Sequence, residues 1–256
     1  MREVADNIVR TCVFAYSMLC CVPVLGTSAV ILRTEQHIVL AADSTLTQGT
    51  QGGAASKTCK IKRSGSIYSV IAGIARDDRT DFNIYRMIEG DSVGKDTAEE
   101  VARALVGSTR RKHRIALEQI RRDAPAYYYG TSGPKQAQSP LQIILASVWH
   151  AQTSYVVLYY TIDNDKRTIL VTPHMLKCPG DGCPRPSGRG EYIIGESFIG
   201  SKLPFDNIHS SDADYARQII EWEIKESPKT VGPPIDVLEI SVIGGPTWLK
   251  NDKNCP

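Results

Sequence analysis

The feature that most constrains this chain is a series of short apolar runs between Gly26 and Gly73, each bounded by turn residues. Residues 28–32, 38–42 and 66–72 form these runs, and residues 57–62 give a partner strand for the last of them across the turn Arg63-Ser64-Gly65. Runs of this length between turn residues are typical of strands and not of helices. The segment therefore predicts two β-hairpins at the start of the folded part of the chain.

Three residues with useful chemistry lie on this predicted frame. Thr27 begins the first strand, Asp43 ends the second and Lys60 lies on the third. A cut between Gly26 and Thr27 would give Thr27 a free α-amine, whose pKa of about 8 lets it accept the proton of its own hydroxyl. A nearby lysine cation lowers the pKa of that amine, and an aspartate keeps the lysine charged and in place. The backbone N–H of Gly73 can stabilise a developing oxyanion.

These residues, in this order, resemble the N-terminus of a mature proteasome β-type subunit, in the N-terminal-nucleophile hydrolase superfamily. Gly26-Thr27-Ser28 is similar to the processing point of that family, and Ile38–Ser44 is similar to its second strand, which ends in a catalytic aspartate. Lys60-Ile61 matches the catalytic lysine and the apolar residue after it, with one extra residue in the preceding loop. Ile71-Ala72-Gly73 matches the oxyanion strand.

The resemblance implies a threonine-type peptidase that cleaves peptide bonds through an acyl-enzyme. Its catalytic residues would be Thr27, Asp43, Lys60 and Gly73, and it would need no metal and no organic cofactor. The substrate would be a peptide or a protein. Proteasome-like subunits assemble into stacked rings, so the resemblance also implies a ring-type homo- or hetero-oligomer.

The rest of the chain predicts an α+β fold. Helices are expected over residues 80–89, 97–122 and 211–226, and strands over 141–149, 154–161, 167–172 and 235–240, with a loop-like tail after Ile243. This order fits a four-layer α-β-β-α sandwich of two stacked antiparallel sheets, which is the N-terminal-nucleophile hydrolase fold implied by the resemblance. Residues 27–256 would form this one domain.

Residues 1–26 differ from the remainder, since residues 11–26 are apolar and uncharged. This run resembles the apolar region of a signal peptide and is short for a membrane-spanning helix, so no stable membrane span is expected in the mature chain. Three interpretations stay open: a signal peptide, an autoprocessed propeptide, or a segment that is never removed. The first predicts export to the periplasm or the extracellular space, and the alternative is a cytoplasmic protein.

The cysteines favour export. Three of the seven lie in residues 1–26, and the four that remain are Cys59, Cys178, Cys183 and Cys255. An even number suits disulfides in an oxidising compartment, and a turn-rich loop between Cys178 and Cys183 favours a bridge between them. A zinc site and isolated thiols are the competing interpretations. Cys59, beside Lys60, is expected to be structural and not a nucleophile.

The sequence departs from the family where groups usually support the nucleophile. Glu196 stands where the family has a supporting serine, and Val231-Gly232 stands where it has a Ser-Gly pair. The family's supporting aspartate is missing, and Glu196 and Glu226 are the candidates to replace its carboxylate. Two alternatives follow. Beside the active threonine peptidase, these are a catalytically weakened or inactive ring-forming subunit, and an amidohydrolase of the same superfamily that acts on a small molecule and not on peptides.

Charge and aromatic clusters add little to the functional prediction. The formal net charge of +2 gives no reason to expect nucleic acid as a partner. The basic run Arg110–Arg114 is expected on a solvated helix face, with subunit contact as the alternative. Tyr127-Tyr128-Tyr129 is expected at a core edge or a subunit interface, with a substrate cleft as the alternative.

Overall fold

The fold was analysed in a computed structural model, which describes residues 27–46, 56–123, 125, 140–165, 168–180, 183, 190–194, 211–228, 231–250 and 255. The predictions on residues 1–26, on Tyr127-Tyr128-Tyr129 and on Glu196 lie outside the described residues.

The described residues contain fourteen strands, of which β2, β10, β11 and β13 are longer than the ranges predicted for them. They are β1 (Ala29–Arg33), β2 (His37–Asp43), β3 (Thr45–Leu46), β4 (Ser56–Lys57), β5 (Lys62–Ser64), β6 (Ile67–Gly73), β7 (Arg76–Asp77), β8 (Phe82–Asn83), β9 (Leu141–Trp149), β10 (Gln152–Asp165), β11 (Thr168–Cys178), β12 (Gly190–Ile194), β13 (Ile235–Ser241) and β14 (Gly245–Lys250).

Three helices of eight residues or more lie in the described part: α1 (Ile84–Asp91), α2 (Ala98–Asp123) and α3 (Asp212–Glu226). Each begins at a residue whose side chain satisfies an otherwise unpaired backbone N–H. The Asn83 side chain accepts from Arg86 N, and the Ser211 hydroxyl accepts from Asp214 N. Thr97 and Glu100 form the reciprocal capping box that the sequence predicts before α2.

The strands form two five-stranded antiparallel sheets. Sheet I has the order β12-β1-β2-β13-β14, and sheet II has the order β11-β10-β9-β6-β5. Two small sheets pair β3 with β4 and β7 with β8. The α+β class and the two antiparallel sheets expected from the sequence are confirmed.

Three apolar clusters connect these elements. One contains residues from the facing sides of both sheets, among them Ala29 and Leu40 of sheet I and Val70 and Ile144 of sheet II. The second joins the other side of sheet II to α1 and α2, and the third joins the other side of sheet I to α3. Because β1 and β2 are covered on both sides, their residues are almost uniformly buried and apolar instead of alternating.

Several boundaries differ from the prediction. The helix expected from residue 80 begins at Ile84, because residues 82–83 pair as β8 and Asn83 provides the cap. The tail after Ile243, expected to be a loop, contains β14, which pairs with β13. Strands β10 and β11 form a longer hairpin than the sequence predicts, since their pairing continues through Pro173 to Cys178.

No helix among the described residues is both long enough and apolar enough to cross a membrane.

Candidate functional site

Thr27 lies two residues before the start of β1, and the residue between them, Ser28, is hydrogen-bonded to the end of β2. Its side chain is buried, as is that of Ser28. The backbone N–H of Ser28 donates to Asp43 Oδ1 at 3.0 Å, and Asp43 N donates to Ser28 O at 3.1 Å. The pairing of β1 with β2 therefore places the Asp43 carboxylate against the backbone of Ser28, the residue directly after Thr27.

Asp43 and Lys60 form a buried ion pair. Lys60 Nζ donates to Asp43 Oδ1 at 2.6 Å, and the side chains are 2% and 0% exposed respectively. The other carboxylate oxygen, Oδ2, accepts from Thr45 N at 3.1 Å and from Gly232 N at 3.2 Å. Both oxygens are thus held by directed donors, so the carboxylate is fixed in position and orientation.

The segment that carries Lys60 differs from the prediction. The sequence predicts Lys60 on the third strand, but it lies in the irregular segment between β4 and β5. Cys59, Lys60 and Ile61 are all buried, and they lie outside the strands on either side of them. This irregular backbone brings Lys60 to Asp43.

Burial shifts both partners of the ion pair. Removal from water raises the pKa of the Asp43 carboxyl, and attraction to Lys60 and its hydrogen bonds oppose that rise. Removal from water lowers the pKa of the Lys60 ammonium, and Asp43 opposes that fall. Lys60 therefore gives up its proton more readily than an exposed lysine does.

Gly73 lies at the end of β6, on the sheet that faces β1 and β2. Its φ is +92°, and a Cβ at this position would lie 2.2 Å from the carbonyl oxygen of Pro140. The close approach arises because Ile74 N donates to Pro140 O at 2.8 Å. The backbone at this point therefore requires glycine. Ala72, the preceding residue, belongs to the same core between the sheets as Ala29 and Ala42.

The structure thus brings three of the four predicted residues into one network through side chains or a neighbouring backbone group. Thr27 adjoins it through Ser28, and Asp43 and Lys60 form it. Gly73 lies on sheet II and has no hydrogen bond to this network among those described. Its neighbour Ala72 packs in the same core as Ala29 and Ala42 of sheet I.

Sequence reasoning missed two contributors near this network. Gly232, noted only as a departure from the family, donates its N–H to Asp43 and accepts from Ser44 N at 3.3 Å. Asp236, on β13, is fully buried and accepts a hydrogen bond from Ser44 Oγ at 2.8 Å. Glu226, considered as a substitute carboxylate, is exposed at the end of α3.

Two disulfides join the four cysteines that follow residue 26. One bonds Cys178 to Cys183, as the sequence predicts. The other bonds Cys59 to Cys255 at 2.06 Å and ties the C-terminal end of the chain to the residue before Lys60. This agrees with the structural role expected for Cys59.

One buried group of side chains has the composition of a metal site. Cys59, Cys255 and Asp236 present ligand atoms that all lie within 4.8 Å of one another. Because the two sulfurs are bonded to each other, they are not thiolates, and thiolates are the form of cysteine that binds metal. The oxidised chain therefore does not offer this group as a metal centre.

No protein-family model matches the chain, and no curated protein matches it.

Proposed function

We propose that the chain is an N-terminal threonine hydrolase of the proteasome β type, which cleaves the amide bonds of peptides through an acyl-enzyme. The observation that carries the proposal is the buried ion pair of Asp43 and Lys60, hydrogen-bonded to the backbone directly after Thr27. Desolvation offsets much of the attraction within a buried ion pair, so such a pair is a poor device for stability alone. Its position beside a threonine that could become an N-terminus favours a role in chemistry.

The proposed reaction begins after the bond between Gly26 and Thr27 has been cut. The α-amine of Thr27 takes the hydroxyl proton while Oγ attacks the carbonyl carbon of the substrate. Lys60 keeps the pKa of the amine low enough for it to be a base, and Asp43 holds Lys60. The N–H of Gly73 stabilises the oxyanion.

Collapse of the tetrahedral intermediate breaks the C–N bond and leaves the acyl group on Thr27 as an ester. The departing amine takes the proton that the α-amine of Thr27 had accepted. A water molecule, deprotonated by the same amine, then hydrolyses the ester and restores the hydroxyl.

The arrangement of the layers supports the same proposal. Two antiparallel sheets share a core and have helices against their outer sides, as expected for the four-layer sandwich of N-terminal-nucleophile hydrolases. A ring-type oligomer and export of the mature chain belong to the proposal as well.

The first experiment is intact mass and N-terminal sequencing of the full chain after expression in its native host. We expect a mature end at Thr27. The mature protein is then treated with a peptide α′,β′-epoxyketone, which forms a stable ring adduct only with a residue that carries both a hydroxyl and a free amine. The expected result is a single adduct on Thr27 and measurable hydrolysis of fluorogenic peptides.

Two variants make the test specific. Thr27→Ala should abolish adduct formation and hydrolysis with an unchanged unfolding midpoint, and Thr27→Ser should keep both at a reduced rate. Turnover that survives in Thr27→Ala would refute the mechanism. A chain whose N-terminus is elsewhere would leave Thr27 with an amide nitrogen, and the structural ring subunit would replace the enzyme as the favoured function.

A further inference from the structure

Asp236 is a fully buried carboxylate in the middle of a sheet. It lies on β13, between β2 and β14, and pairs in register with Ala42. Leu238 and Ile240, on the same side of β13, belong to the core between the two sheets. The side chain of Asp236 therefore lies on the side of sheet I that faces sheet II. Burying a carboxylate in such a layer is costly unless neighbouring groups stabilise its charge.

The hydrogen bond from Ser44 connects this carboxylate to the start of β1. Ala29 pairs with Ala42, and Asp43 N donates to Ser28 O. Continued by one more residue, the same antiparallel register places Ser44 opposite Thr27. Residues directly opposite each other in antiparallel strands share a face of the sheet and have close side chains. The Ser44 hydroxyl is thus the cross-strand neighbour of Thr27.

We propose that Asp236, acting through Ser44, is a positioning residue for the α-amine of Thr27. This inference rests on the proposed function, because the amine exists only after the chain is cut before Thr27. Ser44 donates its one hydroxyl proton to Asp236 Oδ2, so its oxygen lone pairs are available to accept a hydrogen bond from the amine. The Asp236 charge stabilises the ammonium that forms when the amine takes the Thr27 hydroxyl proton.

Asp236 also contacts the segment that carries Lys60. Its Oδ2 lies 3.4 Å from Sγ of Cys255, which is bonded to Cys59, the residue before Lys60. Through these contacts the network joins the ionisable side chains of Asp43, Lys60 and Asp236. Lys60 favours the neutral amine of Thr27 and Asp236 favours the ammonium, so their balance sets the basicity of the amine.

The test uses the mature protein and its rate of adduct formation with the peptide epoxyketone, measured by intact mass from acid to neutral pH. Asp236→Asn keeps the shape of the side chain and an acceptor for Ser44 but removes the charge. Without the charge the ammonium is less stable, so the pKa of the amine falls. We expect the acidic limb of the rate profile to move to lower pH by about one unit. The plateau rate should fall as well, because the amine is then a weaker base.

Two further variants make the outcome decisive. Ser44→Ala keeps Asp236 and removes the link, so it should move the acidic limb in the same direction. Glu239→Gln removes a carboxylate from the same strand at a half-buried position and should leave the profile unchanged. An Asp236→Asn protein with a lower plateau but an unmoved limb would show a merely structural role and overturn the inference.

If Asp236→Asn does not fold, Ser44→Ala decides the question alone, and an unmoved limb again overturns the inference. The proposed function stands or falls separately, on whether the wild-type protein forms the adduct and Thr27→Ala does not. Failure of the wild-type protein to react overturns both.

Discussion

The disulfide between Cys59 and Cys255 should stabilise the fold far more than the one between Cys178 and Cys183. The first closes a loop with a sequence separation of 196 and the second a loop with a separation of 5. In the chain-entropy treatment, the stabilisation grows with the logarithm of loop length, to about 5 kcal/mol for the long loop and about 2 kcal/mol for the short one. The expected difference in the free energy of unfolding is therefore about 3 kcal/mol.

The assay compares two double variants, Cys59→Ala with Cys255→Ala and Cys178→Ala with Cys183→Ala. Guanidinium unfolding of each oxidised protein, read by circular dichroism, gives the free energy of unfolding from the midpoint and the slope. Each pair serves as the control for the other, since the same sulfur atoms are removed. Equal losses, or a larger loss for the Cys178 pair, would refute the loop-length argument.

The same variants separate stability from catalysis. Cys59 precedes Lys60, and Cys255 contacts Asp236, so the Cys59–Cys255 disulfide adjoins two of the charged groups of the candidate site. Adduct formation by the epoxyketone, measured well below the unfolding midpoint, should therefore slow in the Cys59–Cys255 variant and stay unchanged in the Cys178–Cys183 variant.

Two further predictions concern a buried histidine and the glycine at the end of β6. Burial lowers the pKa of His113 from 6.5 to about 3. Its ring lies against Phe82 and Tyr160, and neither ring nitrogen has a hydrogen-bond partner in the described part of the chain. The unfolded chain binds this proton at higher pH than the folded one, so stability should fall by about 2.6 kcal/mol from pH 7.5 to 4.5, and His113→Phe should remove that loss in denaturant titrations. Gly73→Ala should cost about 1–3 kcal/mol and slow the epoxyketone reaction, because the added Cβ meets backbone at a positive φ. Gly90→Ala should stabilise the protein by about 1 kcal/mol, because a Cβ at this position on α1 meets no neighbouring atom. A lower free energy of unfolding in both Gly73→Ala and Gly90→Ala would contradict the argument.

The parts of the fold that the sequence predicts well are those set by local patterns. Short apolar runs with turn residues between them identify β1, β2 and β6, and a capping box identifies the start of α2 within one residue. The pairing of Asp43 with Lys60 was predicted as well, since the order and spacing of the site residues resemble a known family. These predictions need only neighbours in sequence or a spacing that a family repeats.

The parts that the sequence does not predict depend on long-range pairing. Four cysteines can form two disulfides in three different pairings, and the sequence alone does not choose among them. The fold does, because it brings Cys255 next to Cys59 across a sequence separation of 196. Strand β14 has too few apolar residues to be recognised as a strand from the sequence. It forms because its backbone pairs with the edge of β13. The helix expected from residue 80 starts later because β7 takes residues 82–83 as a partner.

Asp236 shows where a stricter interpretation of the sequence would have gone further. In residues 235–240 the period of two groups Asp236 with Leu238 and Ile240, which places one charge on a face that is otherwise apolar. A charge in that position is either at an exposed end of the strand or buried with a partner, and the sequence does not distinguish these. The structure buries it and gives it Ser44 as a donor. This carboxylate is thus tied to Ser44, the residue after Asp43, by a placement that depends on the pairing of β13 with β2 and not on the local pattern.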